Sequence, residues 1–308
     1  MSVRVRIATR GSRLALTQSE SVAQLIRQAR PEWTVELVSV RTAGDRFVNR
    51  PLSEIGGKGL FVKEIEEVLL RGEAECAVHS AKDLPARLTE RLVIAAVPPR
   101  ADVEDVLVTP QGHALHELPP GCTLGTSSPR RAALLRWLRP DVQVVPLRGN
   151  VETRLEKMTR GEVDGVLLAL AGLRRLGISN LGMVRLNPAF FLPAVGQGAL
   201  VVETRADVWA EQLRFLHDAV AGFALAAERA FLSTIGGTCH TSVGTYSIVE
   251  DGNITLHGVV ADPNGHQIVR GVCKGTLKEA TSVGMALGHQ LLACGASQIL
   301  AGDRPSSK

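Results

Sequence analysis

An α/β protein of two lobes followed by a small α+β domain is the fold class the sequence predicts, and three observations predict it. Strand-like apolar runs alternate with helical patterns through the first hundred residues. The alternation pauses at "PPRADVED" (98–105), resumes, and turns again at "LPAVGQG" (192–198). After Cys239 the period shortens to strand-like alternation broken by DGN and PNG turns. Strands alternating with helices imply parallel βαβ units, whereas short alternating runs joined by tight turns imply an antiparallel meander. A chain of 308 residues has room for two or three such domains.

The elements follow in order. "VRVRIAT" reads as a strand, and Ser12 then caps a helix whose Leu16, Ala23, Leu25 and Ile26 fall near helical spacing up to Pro31. "VELVSVR" is a strand, "GLFVKEIEEVLLRGE" an amphipathic helix, and "CAVHS" and "LVIAAV" are short buried strands. The second lobe runs through the strands "VLVT" and "CTLGT", the helix "PRRAALLRWLR", the strand "VQVVPLRG", the helix "VETRLEKMTRGE" and the strand "GVLLAL". "ALVVETR" adds a strand after the second turn, and 207–232 reads as one long helical stretch. The meander "TYSIVEDGNITLHGVVADPNGHQIVRGVCKG" and the helix "LKEATSVGMALGHQLLACGA" complete the chain. The boundaries are then 1–98 with 199–216 for the first lobe, 104–192 for the second and 217–308 for the C-terminal domain.

Composition narrows the function. Apolar residues make up 45% and charged residues 21%, ordinary for a folded globule, while 4% aromatics argue against a surface of stacked rings for nucleic acid. No stretch is long and apolar enough for a membrane span, and "MSVRVRIATR" lacks a leader's apolar run, so a cytoplasmic location is expected. The five cysteines (76, 122, 239, 273, 294) are odd in number and never form a C-x-x-C pair, which points to reduced thiols and no metal site. His113 and His116 lack a third ligand nearby. Net charge is +4, but residues 121–190 hold eleven Lys/Arg against five Asp/Glu, so +6 lies there and −2 elsewhere. An anionic ligand is expected in that half.

Four polar stretches fall where strands end. "ATRGS" places Arg10 and Ser12 at a helix start, where free N–H groups attract anions; a simple cap with an exposed arginine fits equally. "HSAKDLP" sets Lys82 beside Asp83, a pair suited to holding a developing cation or moving a proton, or to an ordinary surface turn. "GTSSPRR" joins Thr126, Ser127 and Ser128 to Pro129, suited to helix position N1, and to two arginines in the first turn. Arginines oppose the positive end of a helix dipole, and a bound anion would compensate them. "LRGNVETRL" supplies Arg148, Gly149 and Arg154, and "GLRRLG" adds Arg175. The loop 44–59, glycine-rich at its end, carries Lys58 and has the length of a lid or of a surface insertion.

Taken together and in order, "HSAKDLP", "GTSSPRR", "LRGNVETRL", "AGLRRLG" and "LPAVGQGA" resemble the porphobilinogen deaminase (hydroxymethylbilane synthase) family, and the likeness runs from "RIATRGS" into the C-terminal domain. The resemblance implies two lobes like those of periplasmic binding proteins and a third domain carrying a cysteine. It implies a transferase that joins four porphobilinogen molecules head to tail, with loss of ammonia, into the linear tetrapyrrole hydroxymethylbilane. It also implies one dipyrromethane cofactor per chain, held by a thioether on Cys239, and a monomer that binds neither nucleic acid nor membrane.

Loss of ammonia from an aminomethylpyrrole leaves an azafulvene cation, which calls for a carboxylate; by resemblance this is Asp83. The acetate and propionate groups on each ring call for cations and donors. The positions that match are Arg10, Ser12, Lys58, Ser80, Lys82, Thr126, Ser127, Ser128, Arg130, Arg131, Arg148, Gly149, Arg154, Arg175 and Gln197. The chain departs from the family pattern at Thr238, Ser242, Pro129 and Glu54. Two rival readings compete: a hinge-bending anion binder without catalysis, and a Cys239–His240 hydrolase, which adjacent residues serve poorly.

Overall fold

The computed structural model describes residues 3–42, 62–237 and 241–302. It divides into two compact units, residues 1–101 with 198–222 and residues 102–197 with 223–308.

In the first unit, β1 (Arg4–Arg10) leads into α1 (Arg13–Ala29), then β2 (Thr34–Val40), α2 (Lys63–Leu70), β3 (Cys76–Ser80) and β4 (Leu92–Ala96). The Ser12 hydroxyl accepts the Ala15 N–H at 3.3 Å, so the cap read from sequence is in place. Val22, Ala23 and Ile26 of α1 pack on Val5, Ile7, Cys76 and Val78, while Ile65 and Leu69 of α2 pack on Ala8 and Ala77. Successive strand residues point to opposite faces, so each helix covers one face of the sheet. The five-stranded sheet has the order β2-β1-β3-β10-β4, with β10 formed by Leu200–Arg205.

In the second unit, β5 (Asp105–Val108), β6 (Thr123–Gly125), α3 (Pro129–Leu138), β7 (Gln143–Val145), α4 (Val151–Thr159), β8 (Gly165–Ala169), α5 (Leu170–Arg175) and β9 (Met183–Arg185) build a sheet of order β7-β6-β8-β5-β9. Pro129 stands at the start of α3, as its sequence position implies. β7 stops short of the strand read through "VQVVPLRG", because Pro146 has no N–H to give to a neighbour.

The two sheets share one plan. Three neighbouring strands are parallel (β2-β1-β3 and β7-β6-β8), and the fourth position is antiparallel, filled by β10 in one and β5 in the other. Each antiparallel strand is the first formed after the chain crosses from the other unit. The parallel βαβ units expected from strand–helix alternation are present, and the antiparallel strands β10 and β5 make each sheet mixed. The stretch 207–232 is also corrected. It is α6 (Val208–Gln212), a 3₁₀ turn (Arg214–Leu216) and α7 (Ala219–Ile235), interrupted where Asp218 gives its N–H to Val97 O and caps Ala221 N at 2.7 Å.

The second unit also contains the antiparallel sheet β11 (Val243–Glu250), β12 (Asn253–Ala261) and β13 (Ile268–Thr276), covered by α8 (Ala280–Leu291) and α9 (Ser297–Gly302). Asp251 and Gly252, at φ 49° and 75°, make the tight turn that DGN signals. Phe231 of α7 and Leu287 and Leu291 of α8 fill the core over Ile254, Leu256 and Val260. Gly284 lets the two helices meet: a Cβ there would lie 2.1 Å from Ala227 O.

Candidate active site

In the first unit, the candidate residues gather at one sheet edge. β1 and β3 run parallel with Ile7 opposite Cys76 and Ala8 opposite Ala77, so their carboxyl ends bring Arg10 and Ser80 to the same side. Ser80 is held by Gln18 of α1, whose Nε2 donates to its Oγ at 2.9 Å. On the other face of β3, buried His79 lies 3.1 Å from a carboxylate oxygen of buried Glu203 on β10. The strand end is thus pinned from both sides. A 3₁₀ turn, Ala81–Asp83, follows at once and displays Lys82 and Asp83. Asp83 is exposed, and among the described residues no group pairs with it.

In the second unit, the candidates form a buried basic cluster around an acid that the sequence reading did not single out. Asp105, fully buried at the start of β5, accepts from Nε and Nη2 of Arg131 at 2.9 and 2.7 Å, and one of its oxygens lies 2.8 Å from Arg130 Nη1. Gln197 Nε2 reaches the same carboxylate at 3.0 Å and Val103 O at 2.7 Å. Arg131 Nη1 donates to Leu167 O, and Arg130 Nη1 to Leu192 O. Burial pushes the Asp105 carboxyl up, but the two guanidinium charges outweigh it and hold the group well below the usual carboxylate range. The compensation expected from a bound anion for the first-turn arginines is thus supplied inside the protein by Asp105. Among the described residues, the buried Arg130 Nε–H has no hydrogen-bond acceptor.

The three hydroxyls of "GTSSPRR" also turn inward. Thr126 Oγ1 accepts from Ser128 N, Ser127 Oγ donates to Leu147 O, and Ser128 caps Arg131 N. They shape the loop with these bonds.

The excess positive charge lies beside this hub. Gly149, at φ 117°, turns its carbonyl to accept from Arg154 Nε at 2.8 Å. Burial, and then the like charges of Arg131 and Arg148, push the Arg154 guanidinium down to about 10. Arg175 is also pushed down by burial, with Asp102 acting against the shift. Arg154 is therefore half-buried beside the like charges of Arg131 and Arg148. Such an arrangement favours a multiply charged anion.

Cys239, His240 and Lys58 lie outside the described residues, as do Glu54, Thr238 and the whole loop 44–59. Of the other cysteines, Cys76 and Cys122 are buried, and burial pushes both thiols up, away from reactivity. His113 and His116 are exposed, and among the described residues no three His, Cys, Asp or Glu side chains could hold a metal ion. Asp105 had one sequence signal, an acid opening the apolar run "VLV". Gln18 and Glu203 had none that separates them from ordinary helix and strand residues.

Two α/β lobes of one plan, one displaying an exposed carboxylate and the other a half-buried surplus of arginines, define the class. Residues 5–211 match the family model described as porphobilinogen deaminase, dipyromethane cofactor binding domain, and residues 223–293 match the porphobilinogen deaminase C-terminal domain. The porphobilinogen deaminase of Syntrophobacter fumaroxidans is 47% identical over 298 residues, covering 96% of both chains. That of Bordetella parapertussis is 44% identical over 99% of this chain and 98% of its own. The periplasmic aliphatic sulphonate binding protein SsuA from Escherichia coli aligns over 99% of this chain and 80% of its own at 13% identity and a TM-score of 0.39. This chain belongs to the porphobilinogen deaminase family.

Proposed function

We propose that the protein is a transferase that joins four porphobilinogen molecules head to tail, releasing ammonia, to make hydroxymethylbilane on a dipyrromethane held by Cys239. Family membership supports the reaction. The single structural observation behind the site is the half-buried Arg154 set beside the like charges of Arg131 and Arg148, which an incoming carboxylate would offset.

The residues present fit a ring system rich in acetate and propionate. Arg148, Arg154 and Arg175 form charge-assisted hydrogen bonds to carboxylates, and Arg130 offers its unspent Nε–H. Thr126, Ser127 and Ser128 hold the loop that begins α3, and Gln197 holds the Asp105 carboxylate beside Arg130 and Arg131. Arg10, Ser12, Ser80 and Lys82, on the edge that carries Asp83, bind further carboxylates and donors of the substrate. When bound, dipyrromethane supplies the terminal pyrrole that each new ring joins.

Asp83 is the catalytic residue in this reading. Its carboxylate is unpartnered among the described residues and rides on a turn pinned at Ser80 and His79. It stabilises the positive charge that develops as ammonia leaves, and it takes up a pyrrole N–H proton. Three domains, with bounds as in the sequence analysis, a monomeric state and a cytoplasmic location complete the proposal. No helix among the described residues is long and apolar enough to cross a membrane.

Intact mass tests it. Protein made in a tetrapyrrole-producing cell is expected to be heavier than its sequence by one dipyrromethane, and Cys239→Ser to lack the excess. An unmodified and inactive wild-type chain from such a cell overturns the proposal.

A further inference from the structure

Asp105 joins three segments far apart in sequence. Its carboxylate binds Arg131, 26 residues away on α3, and Gln197, 92 residues away. Gln197 is the last residue of the second unit before the chain crosses to the first, and Val103, whose carbonyl it also binds, is the second residue after the first crossing. The segments by which the chain enters and leaves this unit are therefore fastened together at the arginine pair. The fastening continues outward. Arg130 Nη1 donates to Leu192 O at 2.6 Å, and Pro193 O accepts Thr245 N of β11 at 2.9 Å. Gly244 fits against the same two carbonyls, where a Cβ would lie 2.8 and 2.9 Å from them. β11 is the strand that follows the Cys239 segment.

We propose that Asp105 is a positioning residue: it sets the heads of Arg130 and Arg131 for a carboxylate ligand and fixes them against the strand that follows Cys239. This rests on reading those arginines as carboxylate-binding. Two features favour positioning over simple charge balance. Arg131 spends Nε and Nη2 on one oxygen and Nη1 on Leu167 O, which fixes the plane of its head. Arg130 is oriented through Nη1 alone, which leaves Nε–H directed and unused. Neutralising Asp105 would leave two like charges in a buried space, and the heads would swing apart.

The test uses the full-length chain in three variants: Asp105→Asn, Asp105→Glu and Arg130→Gln. Asp105→Asn is expected to retain the wild-type circular-dichroism spectrum but to carry dipyrromethane, by intact mass, in under a tenth of chains. Asp105→Glu keeps the charge but moves it by one methylene. It is expected to load and to show KM for porphobilinogen raised about tenfold, with kcat changed less than threefold. Wild-type KM in Asp105→Glu overturns the proposal even if Asp105→Asn fails to fold, because a purely structural acid would shift melting and leave KM alone. Full loading of folded Asp105→Asn overturns it as well. If Arg130→Gln loads and turns over like wild type, the carboxylate-binding reading has failed instead, and the proposal falls with it.

Discussion

Two aspartates, one in each unit, show how environment divides labour between identical side chains. Asp83 stands exposed on a 3₁₀ turn, with no partner among the described residues, while the strand beneath it is fixed by Gln18 and Glu203. Asp105 is fully buried, and its oxygens are occupied by two arginines and a glutamine. A carboxylate clasped by two buried guanidinium charges spends its interactions on the fold, and an unpartnered one contributes little to it. The contrast predicts that removing Asp83 costs turnover and spares the fold, whereas removing Asp105 costs stability as well.

The largest effect is expected from Asp83→Ala. Porphobilinogen consumption should fall by a factor of about 10²–10⁴, with stability to urea changed by less than about 0.5 kcal/mol. Near-normal turnover would remove Asp83 from catalysis and break the comparison. Asp105→Ala should do the reverse in a denaturation assay, costing ~3–5 kcal/mol because two buried guanidinium charges lose their counter-charge.

Asp105 also sets a pH dependence. The folded Asp105 carboxyl sits below its unfolded value, so its contribution is complete above roughly pH 5 and is lost as pH falls through about 4 toward the folded value, where the unfolded chain takes up the proton first. Urea midpoints of wild type measured from pH 6 down to 3 should fall, and those of Asp105→Ala should fall less. Parallel curves would mean that the ion pairs carry no net stability.

Arg154→Met sharpens the contrast at its smallest scale. Arg154 is held down to about 10, so below that pH the fold bears a disfavoured charge, and the cost eases only as pH rises from 10 toward the unfolded value. Removing it should raise the melting temperature of the cofactor-free chain by about 2–4 °C, equivalent to ~1 kcal/mol, while dipyrromethane loading is lost. Melting below wild type would show that the arginine cluster serves the fold and not a ligand.

Local chemistry was legible in the sequence. "CAVHS" became β3 residue for residue, Ser12 and Pro129 began their helices, and DGN made its turn. Pairing between distant segments was not. Nothing in "ALVVETR" says that it will lie antiparallel between β3 and β4, since the partners lie over a hundred residues upstream. The break at Asp218 depends on a carbonyl of Val97 that helical periodicity cannot register. The site divides in the same way. Arginine-rich strand ends announced a basic cluster, and the excess charge on Arg154 fits that reading. Asp105 stayed hidden because its meaning lies in side chains 26 and 92 residues away.

The exchange of antiparallel strands between sheets also governs how the chain can be synthesised and folded. β5 through β9 form an uninterrupted run, so their sheet can assemble as soon as it leaves the ribosome. The first sheet cannot, because the slot between β3 and β4 belongs to β10. At common elongation rates the missing strand follows β4 by roughly 5–20 s, during which two strands present open edges. β3 and β4, although made early, would therefore be among the last strands to complete their native pairing, and that interval is when the nascent chain would most need shelter from its neighbours.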